Sequence, residues 1–200
     1  MLTGGPVVLA LRGGSAAEVT ALFAALALFR APYMLALGVV AQLTGRLTTM
    51  VVSGQRAELR RVQVMVVTSA VAAAALAALV GATIGPALVR LVFGDDVSLD
   101  VTTTVLVAIG SAVALANLVT TILVLALDRA GAVARAWVLA GAAAGAVLAA
   151  TDTDSVEQTG WAFLVAQLVA FAVLLVEEYR GRVSVVTRPG AESPSLPPGL

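Results

Sequence analysis

Val19-Thr20-Ala21-Leu22-Phe23-Ala24-Ala25-Leu26-Ala27-Leu28-Phe29-Arg30-Ala31-Pro32-Tyr33-Met34-Leu35-Ala36-Leu37 is an apolar run interrupted by one arginine, two residues before a proline. A guanidinium at the centre of a membrane helix costs at least about 2.5–3.5 kcal/mol, so its surroundings must compensate for it. Pro32 frees a backbone carbonyl one turn upstream and is expected to bend the helix there. A bent helix presenting a cation at mid-depth points to a polar cavity inside a helix bundle.

The composition agrees with a membrane setting. Of 200 residues, 60% are hydrophobic and 12% charged, where soluble domains have about 45–50% and 25%. The mean hydropathy is +1.02. These values select an all-α, polytopic membrane helix bundle. The absence of cysteine removes disulfides and thiolate metal sites, and the absence of histidine removes the usual general base and the commonest metal ligand. Neither a cofactor nor a nucleic-acid partner is expected. All 12 cations are arginine and the formal net charge is zero, so the placement of charge carries the information.

Five full spans are expected, at approximately 16–50, 62–93, 101–127, 136–150 and 160–178, in a transmembrane lobe covering 1–182. Pro6 to Leu11 reads as the last turns of a sixth helix whose beginning is absent, and no signal peptide precedes it. The chain is therefore expected to be a fragment, or to start at an internal methionine. Gly81, Gly85 and Pro86 should distort the outer end of the second span, while Gly141 and Gly145, at GxxxG spacing, suit close packing of the fourth. Trp161 and Tyr179, about 27 Å apart on a helix, match two interfacial belts. Residues 183–200, rich in Pro, Ser and Gly, read as a disordered cytoplasmic tail.

Charge alternates between successive loops. Residues 53–61, 128–135 and the tail hold Arg56, Arg60, Arg61, Arg129, Arg135, Arg180, Arg182 and Arg188, whereas 94–100 and 151–159 hold no arginine and six acids. The positive-inside rule then predicts a multi-pass protein of the cytoplasmic membrane with its C-terminus in the cytoplasm.

Three features occur in a recognisable order: the Gly5-Pro6 helix, a following helix with Phe29-Arg30-Ala31-Pro32, and Gly85-Pro86-Ala87-Leu88-Val89-Arg90-Leu91-Val92-Phe93-Gly94 before an acidic loop. In these the chain resembles the C-terminal half of polysaccharide and lipid-linked oligosaccharide flippases of the multidrug/oligosaccharidyl-lipid/polysaccharide superfamily. The resemblance implies one lobe of a two-lobe transporter that moves an anionic lipid-linked glycan by alternating access. It also implies that residues 1–11 end helix seven, that the five spans are helices eight to twelve, and that an N-terminal lobe is missing from the chain. The implied partners are membrane lipids, the glycan-lipid substrate and that lobe, in cis or from another chain.

Arg30 lies about 20 Å along its helix from Ala16, too deep for ordinary snorkelling. It is the residue expected to attract a phosphate or pyrophosphate; in the competing reading it anchors a span that begins at residue 31. Tyr33 and Thr44 fall within about 60° of it on an ideal helix and are candidates for the same cavity. Thr103, Gly110, Asn117 and Thr121 share one face of the third span, as cavity wall or as contacts between helices, and Asn117 and Thr121 join the candidate substrate-binding set. Arg90 reads as a snorkelling residue, and Gln42 and Gln167 as isolated polar residues without a role. No carboxylate is expected inside a span, so ion coupling would belong to the missing lobe. Two alternatives compete with a flippase lobe: a multidrug exporter lobe, disfavoured by the arginine and the 4% aromatic content, and a non-transporting membrane subunit. An enzyme is not expected, because no paired carboxylates or metal cluster complete a site.

Overall fold

The computed structural model describes residues 4–94, 99–150 and 155–186; at 30–32, 35–43, 56 and 182–186 only the backbone is described. Seven α-helices and no strand are found among the described residues: α1 (Gly4–Leu11), α2 (Ala16–Val52), α3 (Arg56–Thr83), α4 (Gly85–Phe93), α5 (Val101–Ala126), α6 (Ala130–Ala150) and α7 (Ser155–Val186). Among the described residues, four stretches, Ala57–Thr83, Val101–Ala126, Ala130–Ala150 and Ser155–Gly181, are long and apolar enough to cross a membrane, as in a multi-pass membrane protein. In α2, the fully described stretch Ala16–Phe29 is apolar as well.

Local chemistry explains the turns. After α1, the Gly14 N–H reaches the Leu9 carbonyl at 3.0 Å and the Gly13 N–H reaches the Ala10 carbonyl at 3.2 Å, with Gly13 at φ 88°. This is a Schellman stop, in which the left-handed residue is glycine because a Cβ is disfavoured there. Ser15 then caps α2: Glu18 N–H donates to Ser15 Oγ, and the Ser15 N–H donates to Glu18 Oε2 at 2.6 Å, closing a capping box. The same stop ends α2 at Gly54 (φ 67°), with the Gln55 N–H donating to the Met50 carbonyl. It ends α5 at Asp128 (φ 58°), whose short polar side chain tolerates the left-handed region.

The turn at Asp128 is so tight that α6 begins at Ala130, not at 136 as the sequence suggested, and Arg135 is helical. Likewise α7 runs from Ser155 to Val186, not 160–178; the first four residues assigned to the tail are helical, and 187–200 lie outside the described residues. In both cases polar and charged residues near a helix end read as loop, although each can be accommodated in a helix. The expected bend at Pro32 does not interrupt α2, which stays α-helical throughout its 37 residues. The second span does break, at Ile84, between α3 and the Gly85-Pro86 start of α4.

The buried axis of the bundle is α5, packed against α2, α3 and α7, with α6 on the far side of α7. Small residues permit the close approaches. A Cβ on Gly81 would sit 3.0 Å from Val105 Cα, and one on Gly85 would strike Thr104 Cγ2. By contrast Gly145 meets nothing within 4 Å, so the expected GxxxG contact of the fourth span does not pack through it. The buried side of α6 is instead Ala132, Ala136 and Ala140, one per turn, set against Leu174, Ala166 and Ala170 of α7.

Candidate functional site

The sequence-derived candidates separate into two groups. On α2, the Arg30 backbone is described but its side chain lies outside the described residues. Tyr33 is half-buried and Thr44 exposed on the same helix. The depth of Arg30 follows from its neighbours. Leu22, Ala24, Ala25 and Leu26 share an apolar cluster with Val107 of α5 and Val156 of α7, at the end carrying the acidic loops. Leu47 shares another with Leu59 of α3 and Ile122 and Leu123 of α5, at the end carrying the basic loops. Arg30 comes four residues, about 6 Å, after the first layer and well before the second. The Ala16–Phe29 segment is thus packed into the bundle.

On α5 the second group faces α7. Asn117 is 1% exposed, and its Nδ2 donates to both the carbonyl (3.0 Å) and the side-chain Oε1 (2.9 Å) of Gln167. A Cβ on Gly110 would lie 2.5 Å from Phe163 Cε1, and one on Gly160 would lie 3.3 Å from Leu106 Cδ1. Of the two roles open to this face, the contact between helices is the one observed for Gly110 and Asn117. Asn117 therefore stands in a packed seam between α5 and α7. Thr121, one turn on, is half-buried. Gln167, to which sequence reasoning assigned nothing, is the partner that satisfies the Asn117 donor; 50 residues of separation left no local signal for it.

Each end of the bundle carries a polar clasp. At the acidic-loop end, Arg12 Nη1 donates to the Leu148 carbonyl and to Gln158 Oε1, both at 2.7 Å, and Gln158 Nε2 donates to the same carbonyl at 3.1 Å. The turn after α1 is thereby tied to the ends of α6 and α7. At the basic-loop end, Glu177 of α7 is almost buried and faces Arg129 (2.6 Å), Arg135 (3.2 Å) and, less closely, Arg180 (3.9 Å). The Arg129 Nη2 contact to Oε2 is close without hydrogen-bond alignment, so its attraction is Coulombic, while Nη1 donates to the Glu177 carbonyl at 2.6 Å. Gly181 makes room: a Cβ there would lie 3.1 Å from Arg129 Cδ. Glu177 and the buried Glu178 both lie within the apolar α7 segment. Glu177 lies four residues from the end of that segment, and an arginine from the α5–α6 turn neutralises it.

A cavity of about 570 Å³ opens between α2, α3 and α5 in the basic-loop half of the bundle. Arg46, Glu58, Arg61 and Ser69 line it together with apolar residues. Among the described residues no cluster of three or more carboxylates could hold a metal ion. Comparison with protein-family models, curated proteins and solved structures finds no match.

Proposed function

We propose that the chain is one lobe of a flippase-type transporter that carries an anionic lipid-linked glycan across the cytoplasmic membrane. In this reading α2 is a fifth span, the basic loops and C-terminus are cytoplasmic, and a second lobe completes the pathway. The observation that carries the reading is the place of Arg30, between two packed layers of α2 and in a helix that continues past Pro32. A cation held at that depth needs an anionic or strongly polar partner. An arginine is suited to that task because its planar fork matches the oxygens of a phosphate. Tyr33, three residues on, lies within reach of the same anion, whereas Thr44 lies about 21 Å further along α2 and could only line the path toward the basic-loop end. Resemblance in the order of Gly5-Pro6, Phe29-Arg30-Ala31-Pro32 and Gly85-Pro86 supplies the glycan-lipid class.

Binding of a polyprenyl-pyrophosphate sugar to the purified chain, set against the uncharged polyprenol, tests this. Arg30→Ala is expected to weaken binding of the pyrophosphate lipid by roughly tenfold, the loss of one charge-assisted contact, and to leave polyprenol binding and folding unchanged. Equal binding of both lipids by the parent chain, or no loss in Arg30→Ala, would refute the reading.

A further inference from the structure

The cavity between α2, α3 and α5 is elongated, and its two ends differ in chemistry. Along α3 its lining runs from Glu58 and Arg61 to Ala73, and on α5 from Val119 back to Ala112. From Arg61 to Ala73 is about 18 Å of helix. The charged lining is concentrated at one end, and Ser69 is the one polar residue deeper in. Arg46 lies six residues before the end of α2 and Arg61 five residues after the start of α3, so the two reach the same depth. Their chain neighbours Leu47 and Val62 belong to one apolar cluster, which fixes that level independently. Beyond it the floor is hollow because Ala70, Ala73, Ala112 and Ala116 carry nothing past Cβ. Met65, on the rim, is 65% exposed, so the groove is open along its side.

Charge at the mouth has one dominant sign. Arg46 and Arg61 are exposed there, against the half-buried Glu58. The Arg61–Glu58 pair, at 2.9 Å, is itself exposed. Such a pair holds its arginine weakly, and an arriving anion can share it. An apolar slot about as long as an acyl chain, ending in two arginines at the level where a bilayer carries its headgroups, is complementary to an anionic amphiphile. Its volume lies within the range of about 300–1,000 Å³ typical of ligand sites.

We propose that this groove seats an anionic glycerophospholipid from the leaflet at the basic-loop end, with its phosphate between Arg46 and Arg61 and one acyl chain along the alanine floor. The site is separate from Arg30, which lies 16 residues, about 24 Å, away along α2. It needs only the membrane placement of the bundle and not the transport reading. The occupant is a resident lipid because the groove opens sideways at headgroup depth, where lipid of that leaflet is always present.

Native mass spectrometry of the purified chain, offered phosphatidylglycerol and phosphatidylcholine with identical acyl chains, tests it. Each arginine near a lipid phosphate favours the anionic lipid roughly fivefold, so the parent chain should retain phosphatidylglycerol by roughly 20-fold over phosphatidylcholine. Arg46→Gln with Arg61→Gln should bring the two lipids to parity, and Glu58→Gln should raise phosphatidylglycerol retention. Ala116→Phe, which fills the floor, should lose both lipids; were it to misfold, the arginine variants on the exposed mouth would still decide the matter. Arg30→Ala should change nothing in this assay, which separates its outcome from that of the transport reading. Equal retention of the two lipids by the parent, an unchanged preference in the double-arginine variant, or displacement of phosphatidylglycerol by a polyprenyl phosphate through the same arginines would overturn the proposal.

Discussion

Glu177→Gln is expected to lower the unfolding free energy of the chain in mild detergent by about 2–4 kcal/mol. The carboxylate is almost buried and collects Arg129, Arg135 and Arg180. Arg135 and Arg180 keep well over half of their side-chain surface exposed, so water and salt screen them and each contributes about 0–1 kcal/mol at most. The cost comes from Arg129, whose side chain is only 27% exposed and which would be left beside a neutral amide. Removing the other partner is expected to cost less, because Arg129→Gln leaves Glu177 with two arginines. The order Glu177→Gln, then Arg129→Gln, then Arg180→Gln is the result to check by thermal or denaturant unfolding. A Glu177→Gln chain as stable as the parent would mean that the clasp between the α5–α6 turn and α7 carries no load.

Gly110→Leu is expected to cost about 1–3 kcal/mol, with α5 and α7 forced apart. Even the first added carbon would fall 2.5 Å from one ring atom of Phe163 and 2.7 Å from another. The nearby contact of Asn117 with Gln167 stiffens the same seam, so the helices cannot separate at this point alone. The cause can be separated from a general intolerance of bulk. Phe163→Ala in the same chain should recover part of the loss, a non-additivity expected of residues in contact. Gly145→Leu, at a position with nothing within 4 Å, should be close to neutral. Equal losses at Gly110 and Gly145 would contradict the seam.

How much of this was legible in the sequence depends on how local each signal is. Helix stops were readable from Gly13 and Gly54, and the break near Gly85-Pro86 followed from the same chemistry, because backbone conformation there is set by one or two residues. Helix starts near charge were less readable. Arg135, Glu157 and Gln158 look like loop residues to a hydropathy pattern, yet they lie inside α6 and α7 because their polar groups find partners at the bundle ends. The seam was legible as a face, Thr103, Gly110 and Asn117, but not as a contact, since Gln167 and Phe163 sit about 50 residues away and carry no local mark. The groove was less legible still. Arg46 and Arg61 belong to different helices, and only packing brings them to one level. Arg30 is the opposite case: its significance comes from its place in the sequence, and the layers around Leu26 and Leu47 add its depth.

Thiol accessibility at position 30 tests most directly the claim that Arg30 lines a polar cavity. The chain contains no cysteine, so a single introduced thiol reports without background. Leu76→Cys, on the exposed apolar surface of α3, provides the lipid-facing reference. In reconstituted vesicles Arg30→Cys should react with a charged, water-borne thiol reagent while Leu76→Cys stays inert. If Arg30→Cys is as unreactive as Leu76→Cys, no aqueous cavity reaches that depth and the account of Arg30 as an anion receptor is wrong.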